Sequence, residues 1–322
     1  MSVTSLAQVT ALVDAHVNRD PARFRAVALA IAANAASRSE RGAEHLRRLV
    51  DRQQAVALVP LPSANGLLAV PHNLATFDDM VLAPSVRDRL DRVVLEHTRR
   101  VDLIARGLRP ARKLLFSGFP GTGKTMAAGA LACAVGLPLF RVELHGVIAQ
   151  HLGETAGKLA QVFEHVRTMP AVYLFDEFDA LGSERSMHGS DSAGSEMRRV
   201  VNSLLQFVED DRSDSLIVAA TNHAQMLDAA IFRRFDEVIV FGSPAKVEVE
   251  ALMQRSLPAD DAAQLDFATI YAAVANPKLG HADVCAAVDR VRKDHVLAGA
   301  PIDTARIVDA LVRRTHVAEV LS

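Results

Sequence analysis

Residues Leu114 to Val135 read LLFSGFPGTGKTMAAGALACAV, and the order of their parts decides the fold. An apolar run, LLFS (114–117), passes into a glycine-rich turn, Gly118 to Thr125. That turn opens into an alanine-rich helical stretch. Strand, turn and helix in this order set flexible backbone amides at the positive end of a helix, where they can wrap an anion. The pattern Gly-x4-Gly-Lys-[Ser/Thr], met by Gly118, Gly123, Lys124 and Thr125, adds a definite chemistry. Lys124 is suited to neutralise β- and γ-phosphates, Thr125 to offer a hydroxyl to Mg²⁺, and Pro120, Gly121, Thr122 and Met126 to complete the cradle.

Working outward, further apolar runs follow at PLFRVEL (138–144), VYLF (172–175), LIVAA (216–220) and VIVF (238–241), separated by amphipathic helical stretches. This alternation predicts an α/β fold, a parallel sheet with flanking helices, and with the Gly118–Thr125 phosphate-loop motif it is expected to be of the P-loop NTPase type. About fifty residues beyond the loop, AVYLFDEFDA ends a strand in Asp176-Glu177. The first carboxylate is placed to hold Mg²⁺ and the second to orient or deprotonate the attacking water, with Asp179 read as structural. Next, Thr221-Asn222 closes a strand, and its amide can hold water and the γ-phosphate. Arg233-Arg234 follow on a surface turn, placed to reach a neighbour's nucleotide.

The 322 residues carry 36 basic and 38 acidic side chains, a net charge of -2, with 5% aromatic residues. Such balance excludes disordered, collagen-like and disulfide-scaffold classes and gives no nucleic-acid footprint. Cys133 and Cys285 stand far apart in apolar surroundings, which fits free thiols in a reducing compartment. Residues 1–56 read as a helical N-terminal module, from the helical patterns between Ser5 and Gln54. Residues 57–74 read as a Pro-rich linker. The charge-free stretch Gln53 to Phe77 contains Pro60, Pro62 and Pro71, so it reads as linker and not as a membrane span. The start, MSVTSLAQVT, lacks a secretory pattern, so a cytoplasmic location is expected. Residues 75–242 read as the nucleotide-binding domain and 243–322 as a small helical lid. The lid carries helical patterns at Val284, Ala287, Val288 and Val291, then at Ile307, Leu311 and Val312. The polar stretch Gly182 to Glu196 reads as a loop.

Taken together, the ordered motifs resemble the AAA+ superfamily, and within it the AAA group whose katanin- and spastin-like members have a compact arginine segment like IFRRFDE. The resemblance runs from about Ala75 to Val291, roughly two thirds of the chain, and omits the N-terminal module. It implies ATP and Mg²⁺ as ligands, Asn222 as the sensor-1 residue, and Arg233 and Arg234 as arginine fingers acting in trans within an oligomer, most often a homohexamer. TFDDMVLAPSVRDRL resembles the segment that cradles adenine through the backbone, here Asp79, Met80 and Val81, with Leu82 where a glycine is commoner. GHADVCAAV resembles the Gly-Ala-Asp start of a lid helix, which brings Ala282 to the nucleotide, with His281 in place of the glycine. The motif His151-Leu152-Gly153 before Glu154 stands where peptide-threading relatives carry an aromatic-hydrophobic-glycine pore loop, and Gly182 to Glu196 would face the pore beside it.

Two functions remain open at this level. One is an oligomeric ATPase that remodels or translocates a protein client. The other is an ATP-dependent switch or scaffold controlling a separately encoded effector without threading. No His-Glu-x-x-His follows the ATPase motifs, so any proteolysis would belong to another chain. A nucleic-acid motor is disfavoured by the low aromatic content.

Overall fold

In the computed structural model the chain divides into two compact units, Met1–Leu61 and Pro62–Ser322. In the first unit, residues 27, 30 and 31 are described, and they are helical. In the second, the described residues are 66–71, 74–144, 155–178, 192–227, 229–274 and 279–320. Most of the N-terminal helical module, Asp179 and the pore-loop residues His151, Leu152 and Gly153 lie outside the described residues.

The second unit is built on strands β1 (Leu68–Ala69), β2 (Lys113–Gly118), β3 (Leu139–Val142), β4 (Val172–Phe175), β5 (Leu216–Thr221) and β6 (Glu237–Phe241). They form one sheet in the order β1-β3-β4-β5-β2-β6, parallel except for β1, which pairs antiparallel with β3. Leu114, Leu115 and Phe116 of β2 are all inaccessible to solvent, as a central strand covered on both faces requires. Each such side chain contributes about 1.5–3 kcal/mol through burial. The edge strand β1 lies inside the stretch read as a Pro-rich linker. Leu67 and Leu68 are buried there, and the Glu143 amide donates to the Leu67 carbonyl at 2.9 Å. Two residues of strand leave no periodicity to read, so pairing to β3 is invisible in the sequence.

Helices α1 (Pro84–Thr98), α2 (Arg100–Ala105), α3 (Lys124–Val135), α4 (Thr155–Thr168), α5 (Ser192–Asp210) and α6 (Ala229–Phe232) accompany the sheet. Small side chains let α3 pack closely: Ala127, Ala128, Ala130, Leu131 and Ala132 are all buried against the core containing Leu114, Phe116 and Ile239. Helix α5 corrects one expectation, because Ser192 to Glu196, the end of the polar stretch read as a loop, are already helical. They lead into the amphipathic run MRRVVNSLLQFVED, in which Val201, Leu204, Leu205 and Val208 are buried.

The helical C-terminal part comprises α7 (Lys246–Ser256), α8 (Ala259–Ala263), α9 (Phe267–Val274), α10 (His281–Ala298) and α11 (Thr304–Val320). Its core joins Val249, Met253, Ile270, Val284, Val288 and Leu311. Val312, part of the expected apolar pattern, instead faces solvent. Carboxylates three residues into α7 and α10 reach back to each helix start. Glu248 accepts from the Ala245 amide and Asp283 from the Gly280 amide, each at 3.0 Å. Among the described residues, no helix is long and apolar enough to cross a membrane.

Candidate functional site

Parallel strands leave their C-terminal ends on one edge of the sheet, and ligands of such folds bind there. The turn Gly118–Thr125 leaves β2, Asp176-Glu177 leave β4, and Asn222 leaves β5, which lies between the other two. A cleft of about 540 Å³ collects them, within the usual ~300–1,000 Å³ of small-molecule sites. Its walls include every residue from Pro120 to Met126, together with Asp176, Glu177 and Asn222, and on another side Asp79, Met80 and Val81. Ala282 reaches it from the helical C-terminal part.

Local chemistry explains the loop. Gly121 and Gly123 sit at φ 72° and 94°, a left-handed backbone in which a side chain would be strained. Lys124, 7% exposed, begins α3 and folds its ammonium back over the turn, donating to the Gly118 and Phe119 carbonyls at 2.7 and 2.8 Å. Thr122 Oγ1 also donates to Phe119, at 2.8 Å. The cation is thus held beside the turn's amides by bonds that phosphate oxygens can replace. Gly118 is not among the residues lining the cleft; its carbonyl accepts from the Lys124 ammonium.

Thr125 Oγ1 donates to Asp176 Oδ2 at 2.8 Å, so the two oxygens expected to hold Mg²⁺ already meet across the cleft. A hydroxyl and a carboxylate are hard donors suited to that ion, which keeps several waters and takes few protein ligands. The donor set fits. Beside it, Glu177 has φ 53°, the one positive φ at a non-glycine residue among those described. Its amide donates to Asp176 Oδ1 at 3.0 Å, and the next amide, of Phe178, donates to the Ala220 carbonyl of β5 at 2.8 Å. Anchored on both sides, the residue keeps a backbone conformation that costs about 1–3 kcal/mol, as functional sites often do. Phe178 meets Phe235 edge-on at 6.2 Å, which connects the Glu177 turn to the segment carrying the two arginines.

Arg233 and Arg234 are not among the residues lining this cleft. Arg233 is exposed, whereas Arg234 is half-buried and pairs with Glu209 of α5 at 3.4 Å. Asp236, two residues beyond Arg234, accepts from the Arg112 and Lys113 amides.

The structure adds wall residues that the sequence reading did not assign to the nucleotide: Leu252 of α7, and His281 and Cys285 of α10. Ala282 and Cys285 are three apart on one helix face, a spacing that could have extended the reading from Ala282. Burial raises the Cys285 pKa and favours the neutral thiol. The start of α10 sits tightly on the phosphate loop. The Ala282 amide donates to the Gly121 carbonyl at 2.9 Å, and a Cβ on Gly280 would come within 2.6 Å of the Pro120 carbonyl. Asp283, which caps that helix, is itself held by Arg314 of α11 at 2.9 Å.

Comparison with known proteins agrees with this geometry. Residues 114–243 match the ATPase family associated with various cellular activities (AAA). An uncharacterized AAA family ATPase, y4kL of Sinorhizobium fredii, is 44% identical over 58% of this chain and 56% of its own length. The peroxisomal ATPase PEX6 of Candida glabrata is 32% identical over 60% of this chain and 19% of its own. The ATP-dependent zinc metalloprotease FtsH 4 of Sphaerobacter thermophilus is 30% identical over 77% of this chain and 39% of its own. The chain therefore spans about half or less of these relatives. In fold it is similar to the crystal structure of the FIGL-1 AAA domain, with a TM-score of 0.57 at 19% identity, over 81% of this chain and 88% of that one. The phosphate loop, the paired carboxylates and the matched span lead to one assignment: the chain carries an ATPase domain of the AAA family, within the AAA+ superfamily.

Proposed function

We propose that this protein hydrolyses ATP as an oligomer and uses the cycle to remodel or translocate a protein client. The observation that carries the catalytic part is the 2.8 Å hydrogen bond between Thr125 and Asp176, formed in the cleft that Lys124 and Glu177 also line. Lys124 binds the phosphates, and Thr125 with Asp176 would hold Mg²⁺, which when bound offsets charge on the β- and γ-oxygens. Glu177 orients water and takes its proton, and Asn222 positions that water against the γ-phosphate.

The oligomeric part rests on Arg233, exposed and away from its own cleft, as a finger for a neighbour's γ-phosphate. Arg234, tied to Glu209, steadies the same turn. A homohexamer is the assembly this reading favours, in the cytoplasm. The client is taken to be protein because relatives include proteins named for proteolysis, the FtsH 4 metalloprotease and a putative 26S proteasome regulatory subunit homolog of Methanothermobacter thermautotrophicus. His151 and Leu152 are its contact residues in this proposal.

Action in trans has a direct test. A Lys124→Ala chain supplies arginines but no working phosphate loop, and an Arg233→Ala/Arg234→Ala chain supplies the reverse. Each alone is expected to be nearly inactive, because a finger contributes about 10³–10⁵ in rate in other phosphoryl-transfer systems. Mixed, they should regain part of the parent's phosphate release. No recovery in a mixture shown to co-assemble would overturn action in trans.

A further inference from the structure

The helical C-terminal part grips the nucleotide cleft at a second place, far in sequence from the Gly280–Asp283 contact. Arg255 is an exposed residue in the last turn of α7. Its guanidinium donates through one nitrogen to the Met80 carbonyl at 3.0 Å and through the other to the Asp78 carbonyl. Both acceptors belong to the short 76–81 stretch that includes the cleft-lining residues Asp79, Met80 and Val81. Three positions before Arg255, on the same face of α7, Leu252 lines the cleft itself.

Local and core contacts hold the rest of this stretch: the Met80 amide donates to the Phe77 carbonyl at 3.2 Å, and the Met80 side chain packs against the sheet core. The 3₁₀ turn, Phe77–Asp79, is closed at one end by Asp79, which accepts from the Thr76 amide and hydroxyl at 2.7 and 2.6 Å. Phe77 is buried, with Arg87 stacked over its ring at 4.8 Å. The turn's start is therefore fixed from within and from α1. At its far end, the carbonyls of Asp78 and Met80 take the two arms of one planar cation, a fork that lysine cannot reproduce. Met80 then reaches the phosphate loop: its Cε lies 3.2 Å from where a Cβ on Gly123 would stand.

From this geometry we infer that Arg255 is a positioning residue for the nucleotide's base. It holds the Asp78–Val81 backbone in the shape that receives the base and makes that shape depend on the placement of α7. The inference rests on the reading of the cleft as an ATP site and goes beyond it, since no phosphate-binding motif involves Arg255. Its effect should fall on the base end of the ligand and spare the phosphate end.

The experiment compares the dissociation constants of ATP and of inorganic tripolyphosphate, which offers phosphates without a base, for the full chain, Arg255→Met and Arg255→Lys, with thermal unfolding recorded for each. Arg255→Met is expected to weaken ATP about tenfold, roughly one lost charge-assisted contact, and to leave tripolyphosphate within twofold. Arg255→Lys, which keeps the charge and can reach one carbonyl, should fall between the two and covers the case in which the Met variant unfolds early. Equal weakening of both ligands, or unchanged ATP affinity in folded variants, would overturn the inference. Failure of the unsubstituted chain to bind ATP would instead overturn the ATPase reading beneath it.

Discussion

Lys124→Ala is expected to weaken ATP binding by about 10²- to 10⁴-fold, because two contacts to a charged group, each worth about 1.5–3 kcal/mol, disappear from the phosphate end. Lys124 is 7% exposed and its ammonium is held by two backbone carbonyls at 2.7 and 2.8 Å, so its position is set before any ligand arrives. Removing it has a second consequence: those carbonyls lose their donor at the base of the loop. The fold should survive, since the Gly118–Thr125 turn is still built by Gly121 and Gly123 and by the Thr122 contact to Phe119. Equilibrium binding of a fluorescent ATP analogue, with circular dichroism as the folding control, reads the effect. Retained affinity would contradict the role given to the loop.

Glu177→Gln should separate binding from chemistry. The amide has nearly the shape of the carboxylate and can keep the same backbone conformation, but it cannot accept water's proton. Hydrolysis is therefore expected to fall by about 10²- to 10⁴-fold while ATP affinity changes by no more than a few-fold. Thr125, Asp176 and Lys124 are untouched in this variant, so Mg²⁺ and phosphate contacts remain. Bound nucleotide recovered after extended incubation should be ATP in the variant and ADP in the parent. If affinity collapsed along with turnover, Glu177 would be a structural residue whose φ of 53° serves the turn alone.

How much of this was legible beforehand depended on the range of the interactions involved. The Gly118–Thr125 turn and the Asp176-Glu177 pair could be placed at strand ends because each is a short local motif that the strand signal precedes, and both line the same cleft. Five apolar runs located the five parallel strands to within two residues at either end, because the buried centres of β2, β4 and β5 are apolar. The edge strand Leu68–Ala69 was missed because two residues carry no period and its stability comes from pairing with Val142 and Arg141, over seventy positions away. The loop expectation for Ser192–Glu196 failed because small polar residues can begin a helix once the following amphipathic run is docked. Leu252 and Arg255 lay hidden for the same reason as the edge strand. Nothing in KVEVEALMQRS points to a nucleotide, and only the tertiary placement of α7 brings it to the cleft. Arg234 shows the limit from another side, since its partner Glu209 belongs to a helix twenty-five positions earlier.

The central claim is that this cleft turns over ATP in an assembly whose members complete one another's sites. Steady-state release of inorganic phosphate from Mg²⁺-ATP, measured across a hundredfold range of concentration of the full chain, tests it most directly. The account predicts many turnovers per chain and a specific rate that climbs with concentration before levelling off, as Arg233 of one subunit comes to serve the next. A specific rate that stays constant down to concentrations where the chain is monomeric, or the absence of any turnover in a chain that binds ATP and has assembled, would contradict it.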